Sequence, residues 1–185
     1  MQSYFLALDF PSTVKSRLAS LCYGLPQVHW KEENNFHLIL RHLGSLSAAE
    51  LVEIKDRLAH LFFLPFSLTL QGVGHFHSKS DRGTIWIGIQ PNASLMTLKR
   101  EIDRLLKGLP IQPEKISFQP HIILGYYDRL NPQKLGDYLM AHADYYSVPI
   151  EITSCTLFCS RQTSKHTIDE TLEHYLASKV ETGED

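Results

Sequence analysis

Two histidine-led segments, His37-Leu38-Ile39-Leu40 and His121-Ile122-Ile123-Leu124, stand 84 residues apart, and two further landmarks keep the same interval. Ser47 and Asn131, each placed to cap a helix, are also 84 apart, as are Phe66 and Ile150, which open the strands after those helices. A shared period of this kind is the trace left by a duplicated supersecondary unit. It predicts two similar lobes about a pseudo-twofold axis, with equivalent residues converging on one central cleft.

The rest of the pattern fits an α+β domain. Ser3 to Asp9 reads as a strand, and Pro11 precedes Val14, Leu18, Leu21, Cys22 and Leu25 at helical spacing. Phe36 to His42 is a second strand, and Ser47-Ala48-Ala49-Glu50 is a capping box before Leu51, Ile54, Leu58, Leu61 and Phe62. Strands at Phe66 to Val73 and Thr84 to Ile89 flank a polar turn, His77 to Gly83, and Leu95 to Leu109 form an amphipathic helix. The last third predicts a strand at Phe118 to Tyr126, a helix from Leu135 to Ala143 after Asn131-Pro132, and strands at Val148 to Phe158 and Thr167 to Glu173.

Composition narrows the setting. A chain of 185 residues with 43% hydrophobic content builds one domain, here 1–185, without staples. Three cysteines without a C-x-x-C pair argue against a disulfide framework or a structural zinc site and point to a reducing cytoplasm. No run of eighteen apolar residues suggests a membrane span. Eighteen Lys and Arg against twenty Asp and Glu give no general attraction for a polyanion, so nucleic-acid binding has to come from a local site. A monomer is expected.

In each histidine segment, alternation puts the flanking aliphatics on one strand face and the imidazole on the other. A lone strand histidine is usually a satisfied packing residue; two at equivalent positions across a cleft point to chemistry. An imidazole's ordinary pKa of about 6.5 lets one ring be neutral while the other is charged. Opening of a cyclic phosphodiester needs that pair: one histidine takes a proton from water and the other protonates the departing sugar oxygen, without metal or other cofactor. Metal binding is the competing reading, but no Asp or Glu stands near either segment at ligand spacing, and His75-Phe76-His77 falls by itself. Trp30, Trp86 and Phe76 are candidates to stack a base, Trp86 more readily a core residue. Ser160-Arg161 reads as a structural turn, and His42, His60, His142, His166 and His174 as surface or packing residues.

These segments, with the N-terminal FLALDFP, PFSLTLQGVGHF followed by IWIGI, and TLFCSR near the C-terminus, resemble the two-histidine (2H) phosphoesterases. The resemblance runs from Tyr4 to about Tyr175 and is closest to the bacterial RNA 2′,3′-cyclic phosphodiesterases once called 2′-5′ RNA ligases. It implies a bilobal fold of antiparallel sheets with helices outside, and metal-independent opening of 2′,3′-cyclic phosphates on RNA ends or nucleotides to 2′-phosphates. It makes His37 and His121 the catalytic pair; our own assignment takes His37 as proton donor and His121 as proton acceptor, with the reverse left open. The family pattern carries Thr or Ser two residues after each histidine, and this chain has Ile39 and Ile123 at those substrate-facing places. The arginine that often follows the second motif is replaced by Gly125-Tyr126-Tyr127. Arg41, four residues past His37 and on its face, is the candidate replacement for phosphate binding. The alternatives are a weakened phosphodiesterase, an enzyme for a less polar or differently placed phosphate, and an RNA- or nucleotide-binding module that uses the same cleft without turnover.

Overall fold

The computed structural model describes residues 2–78, 81–114, 116–164 and 166–178. Part of the turn expected at His77 to Gly83 and the end of the 1–185 domain lie outside these described residues. The chain begins with β1 (Gln2–Leu8), α1 (Ser12–Ala19), β2 (Val28–Trp30), a 3-10 turn (Glu33–Asn35) and β3 (Leu38–Gly44). It continues through α2 (Ala48–Leu58), β4 (Phe66–Leu68), β5 (Leu70–His77), β6 (Arg82–Ile89) and α3 (Ala93–Leu105). The last third supplies β7 (His121–Asp128), α4 (Pro132–Ala141), β8 (Ile150–Ile152), β9 (Ser154–Gln162) and β10 (Thr167–Leu176).

The caps read from the sequence form. Ser47 accepts from the Glu50 backbone while Glu50 reaches back to the Ser47 N–H, and Asn131 accepts from the N–H groups of Gln133 and Lys134 ahead of Pro132. The first helix is shorter than expected: it ends at Ala19, and Leu21 and Leu25 enter the core from the irregular segment beyond it. The strand expected from Val148 to Phe158 is divided into β8 and β9, and that from Phe66 to Val73 into β4 and β5.

The strands form one antiparallel sheet in the order β10-β9-β1-β3-β7-β6-β5, with β2 also paired to β7, and a small second sheet of β4 and β8. The 84-residue interval recurs in the starts of α2 and α4, β4 and β8, and β5 and β9. It also fixes the symmetry. Leu38 pairs with Ile122 at the seam between β3 and β7, and Ser67 pairs with Glu151 in the small sheet. Each of these pairs joins residues 84 apart, so both lie on the pseudo-twofold axis. The duplication is therefore built as two half-sheets fused edge to edge at Leu38 and Ile122.

One face of the fused sheet carries the main core. Leu6, Leu8, Leu38, Leu40, Ile85, Ile87, Ile122 and Leu124 pack there with Leu18, Ile54, Leu98, Ile102 and Leu135 from the helices. The opposite face is barer: Phe5, Ala7 and Phe158 form a small separate cluster with Ile39 against it. Because strand residues alternate, burying Leu38 and Ile122 under the helices turns His37, Ile39, His121 and Ile123 to this barer face.

Candidate active site

Both histidines border a cavity of about 920 Å³ that is also lined by Ile39, Ile123, Lys31, His42, Phe76 and Thr84, with Gln112 to Glu114 and Ile116 to Gln119. A second cavity of about 420 Å³ adjoins it and shares Lys31, Ile39 and His42, with Asp169, Ser160, Tyr126 and Trp30 among its other walls.

The two rings are held differently. His37, only 4% exposed, has Nδ1 3.1 Å from Asp9 Oδ1 and its ring packed on Phe158 at 4.3 Å between centroids. Its Nε2 is 3.5 Å from Asp169 Oδ2, near enough for charge attraction but long for a hydrogen bond, and has no hydrogen-bond partner among the described residues. Asp9 also receives Lys15 Nζ at 2.6 Å. Burial pushes the Asp9 carboxyl up, but the hydrogen bonds from His37 and Lys15 outweigh it and hold the pKa at about 2. Burial works against Asp169 in the same way, and contacts with His37 and Ser160, with the field of Lys31, bring it below the ordinary value. His37 therefore sits between two ionised carboxylates, one hydrogen-bonded to Nδ1 and the other near Nε2.

His121 opens β7 and is half-buried. Its Nδ1 lies 2.6 Å from the Gln119 carbonyl oxygen, which can only accept, so Nδ1 is the donor there and Nε2 is left for another partner. Phe76 meets the ring edge-on at 5.0 Å, and Trp86 lies 6.1 Å away. Gly74 makes that wall possible, since a Cβ there would overlap the Trp86 ring. Trp86 is thus a half-buried neighbour of the site.

Arg41 lines neither cavity. The register skips Leu40, with Ala7 opposite Ile39 but Leu6 opposite Arg41, and this bulge breaks the alternation that would have put Arg41 beside His37. Arg41 instead pairs with Glu114 at 3.0 Å and Asp103 at 3.7 Å and donates to the Gln112 carbonyl. The same bulge brings His42, opposite Phe5, onto the cleft face, so a residue assigned to packing lines both cavities. Burial lowers the His42 pKa; Glu114 opposes this, while His121, Lys31 and Arg41 add to it. Arg161 is paired with Glu170, whereas Ser160 and His166 border the second cavity, and His75 meets the Tyr127 hydroxyl. Asp9, Asp169 and Lys31 carried no signal in sequence spacing, because sheet order alone brings β1, β10 and the end of β2 to His37. Among the described residues no group of three or more His, Cys, Asp or Glu is arranged to hold a metal ion, and the three cysteines are free. No described helix is long and apolar enough to cross a membrane.

A fused, duplicated sheet with one histidine from each repeat on a shared open face defines a family, and the chain belongs to it. Residues 37–165 match the family model of the 2′-5′ RNA ligase superfamily. An RNA 2′,3′-cyclic phosphodiesterase of Archaeoglobus fulgidus is 28% identical over 132 residues, covering 70% of this chain and 74% of that protein. One from Aeropyrum pernix is 35% identical over 94 residues, half of this chain and 53% of that protein's length. The fold matches E. coli LigT crystallised with 3′-AMP, with a TM-score of 0.77 over 96% of this chain and 99% of that one at 20% identity.

Proposed function

We propose that the chain is a cyclic phosphodiesterase that opens 2′,3′-cyclic phosphates at RNA ends or on nucleotides to 2′-phosphates, without a metal. The carrying observation is that both histidines border one cavity from equivalent positions of the duplication, in settings that suit opposite proton roles. His121, its Nδ1 proton committed to Gln119, takes a proton from the attacking water at Nε2. As the water oxygen bonds to phosphorus, the bond to the 3′ oxygen breaks and His37 returns a proton to that oxygen. Asp9 orients the His37 ring through Nδ1, the carboxylate–imidazole arrangement that fixes a ring's tautomer. The names of the curated relatives support the reaction class.

A second reading, a module that binds such ends without turnover, is favoured by the burial of His37 Nε2 and by apolar side chains at Ile39 and Ile123. Phosphorus NMR of 2′,3′-cyclic nucleotides, with and without EDTA, separates the two. Conversion to the 2′-phosphate at a rate EDTA leaves unchanged is the expected result. Affinity without product selects the binding module.

A further inference from the structure

We propose that Lys31 is the cation that holds the substrate's phosphate, in place of the hydroxyls missing at positions 39 and 123; this rests on the phosphodiesterase reading of the cleft. A phosphodiester carries a full negative charge, and more gathers on its oxygens as water adds, so a site of this kind needs donors or a cation aimed at them. The supply here is narrow. Ile39 and Ile123 offer none, and Arg41 is taken by Glu114 and Asp103. Among the described residues that line the two cavities, Lys31 is the single lysine or arginine.

Its placement fits the role. The Lys31 N–H donates to the Leu124 carbonyl at 2.8 Å, which anchors its backbone one residue beyond Ile123, and its side chain borders both cavities where they meet. The contrast with the chain's other enclosed lysines is informative. Lys15 has Asp9 at 2.6 Å, and Lys99 has Glu114 at 2.6 Å and Asp103 at 2.7 Å. Lys31 has no carboxylate within 4 Å among the described residues. Burial lowers its pKa, the more distant Asp169 works the other way, and Lys15 adds repulsion. A poorly solvated ammonium without a close counter-ion, open to the cavity that holds both histidines, is completed by an anion. The fold has already met the cost of stripping water from this charge, so an arriving phosphate gains the attraction.

A hydrogen bond to a charged group is worth enough to change binding by about ten- to a hundred-fold. The test is calorimetric binding of adenosine 2′-monophosphate, alongside steady-state turnover of the 2′,3′-cyclic nucleotide, for wild type, Lys31→Met and Lys31→Arg. Lys31→Met is expected to weaken binding and raise KM by that factor while kcat falls less, with Lys31→Arg recovering most of the loss. Should Lys31→Met fail to fold, Lys31→Gln carries the same comparison. Wild-type affinity and KM in the neutral variant would overturn the assignment. Wild type that binds through Lys31 but yields no product would instead overturn the phosphodiesterase reading and leave Lys31 as the anion's partner.

Discussion

His37 and His121 occupy equivalent places in the two halves of the molecule, yet one is locked and the other open. His37 is enclosed by Phe158 and set between Asp9 and Asp169, whereas His121 rests its Nδ1 on a backbone carbonyl beside Phe76. The duplication explains the shared position; sheet order explains the difference. Beside β3 lies β1 and then β9 with β10 outside it, whereas beside β7 lies β6 with β5 outermost. Counting 84 residues back from Asp169 gives Ile85, a fully buried core residue, and counting 84 forward from Asp9 gives Ala93, the first residue of α3. Among the described residues neither carboxylate has a counterpart at that interval in the other half. Equivalent backbone positions thus acquire different proton chemistry from neighbours that the repeat does not share.

The largest effects should come from removing the rings. His121→Ala is expected to lower kcat by about 10²- to 10⁴-fold, the usual share of a general base, and to leave the thermal midpoint unchanged because the ring is half-exposed. His37→Ala should lower kcat as much and also destabilise the fold by about 1–3 kcal/mol, since it strips a hydrogen-bond partner from Asp9 and a neighbour from Asp169. Calorimetry with steady-state kinetics reads both quantities.

Restoring hydroxyls sharpens the contrast further. Ile39→Thr with Ile123→Thr is expected to raise kcat/KM by about ten- to a hundred-fold if two donors are simply missing. The two substitutions should differ in stability, Ile39→Thr costing more because Ile39 packs on the Phe5, Ala7 and Phe158 cluster. A double variant that loses activity would mean that the isoleucines themselves shape the substrate pocket.

Asp9 makes the asymmetry visible as pH dependence. Its folded pKa of about 2 lies below the ordinary aspartate value of 3.8, so its contribution is fully present above about pH 4 and is lost as pH falls toward 2. The carboxylate is partly exposed, and screening leaves a contribution on the order of 1 kcal/mol. Asp9→Asn should therefore lower the thermal midpoint at pH 5 and flatten its fall between pH 4 and pH 2. Equal slopes for the two proteins across that range would remove Asp9 from the account. The smallest effect belongs to the other half: Phe76→Ala gives up one edge-to-face contact with His121 and should cost about two- to ten-fold in kcat/KM, read by steady-state kinetics.

Much of this architecture was legible before any coordinates. The 84-residue interval, the Ser47 and Asn131 caps and the apolar alternation around each histidine are local signals, and each rests on interactions within a few residues. Arg41 was misplaced because a β-bulge is invisible to an alternation count, and the same bulge hid His42. Asp9, Lys31 and Asp169 were missed for a different reason. They approach His37 across strand pairings from distant parts of the chain, and no periodicity reports which strands lie side by side.

The central claim, that the locked and the open histidine act together on one phosphate, is tested most directly by single-turnover cleavage of a 2′,3′-cyclic nucleotide by wild type, His37→Ala, His121→Ala and the double variant. Residues that act as a unit give strongly non-additive losses. Each single variant is expected to fall by about 10²- to 10⁴-fold, and the double variant little below the worse single one. Wild-type cleavage by His37→Ala would contradict it and leave His37 as a structural residue held between its two carboxylates.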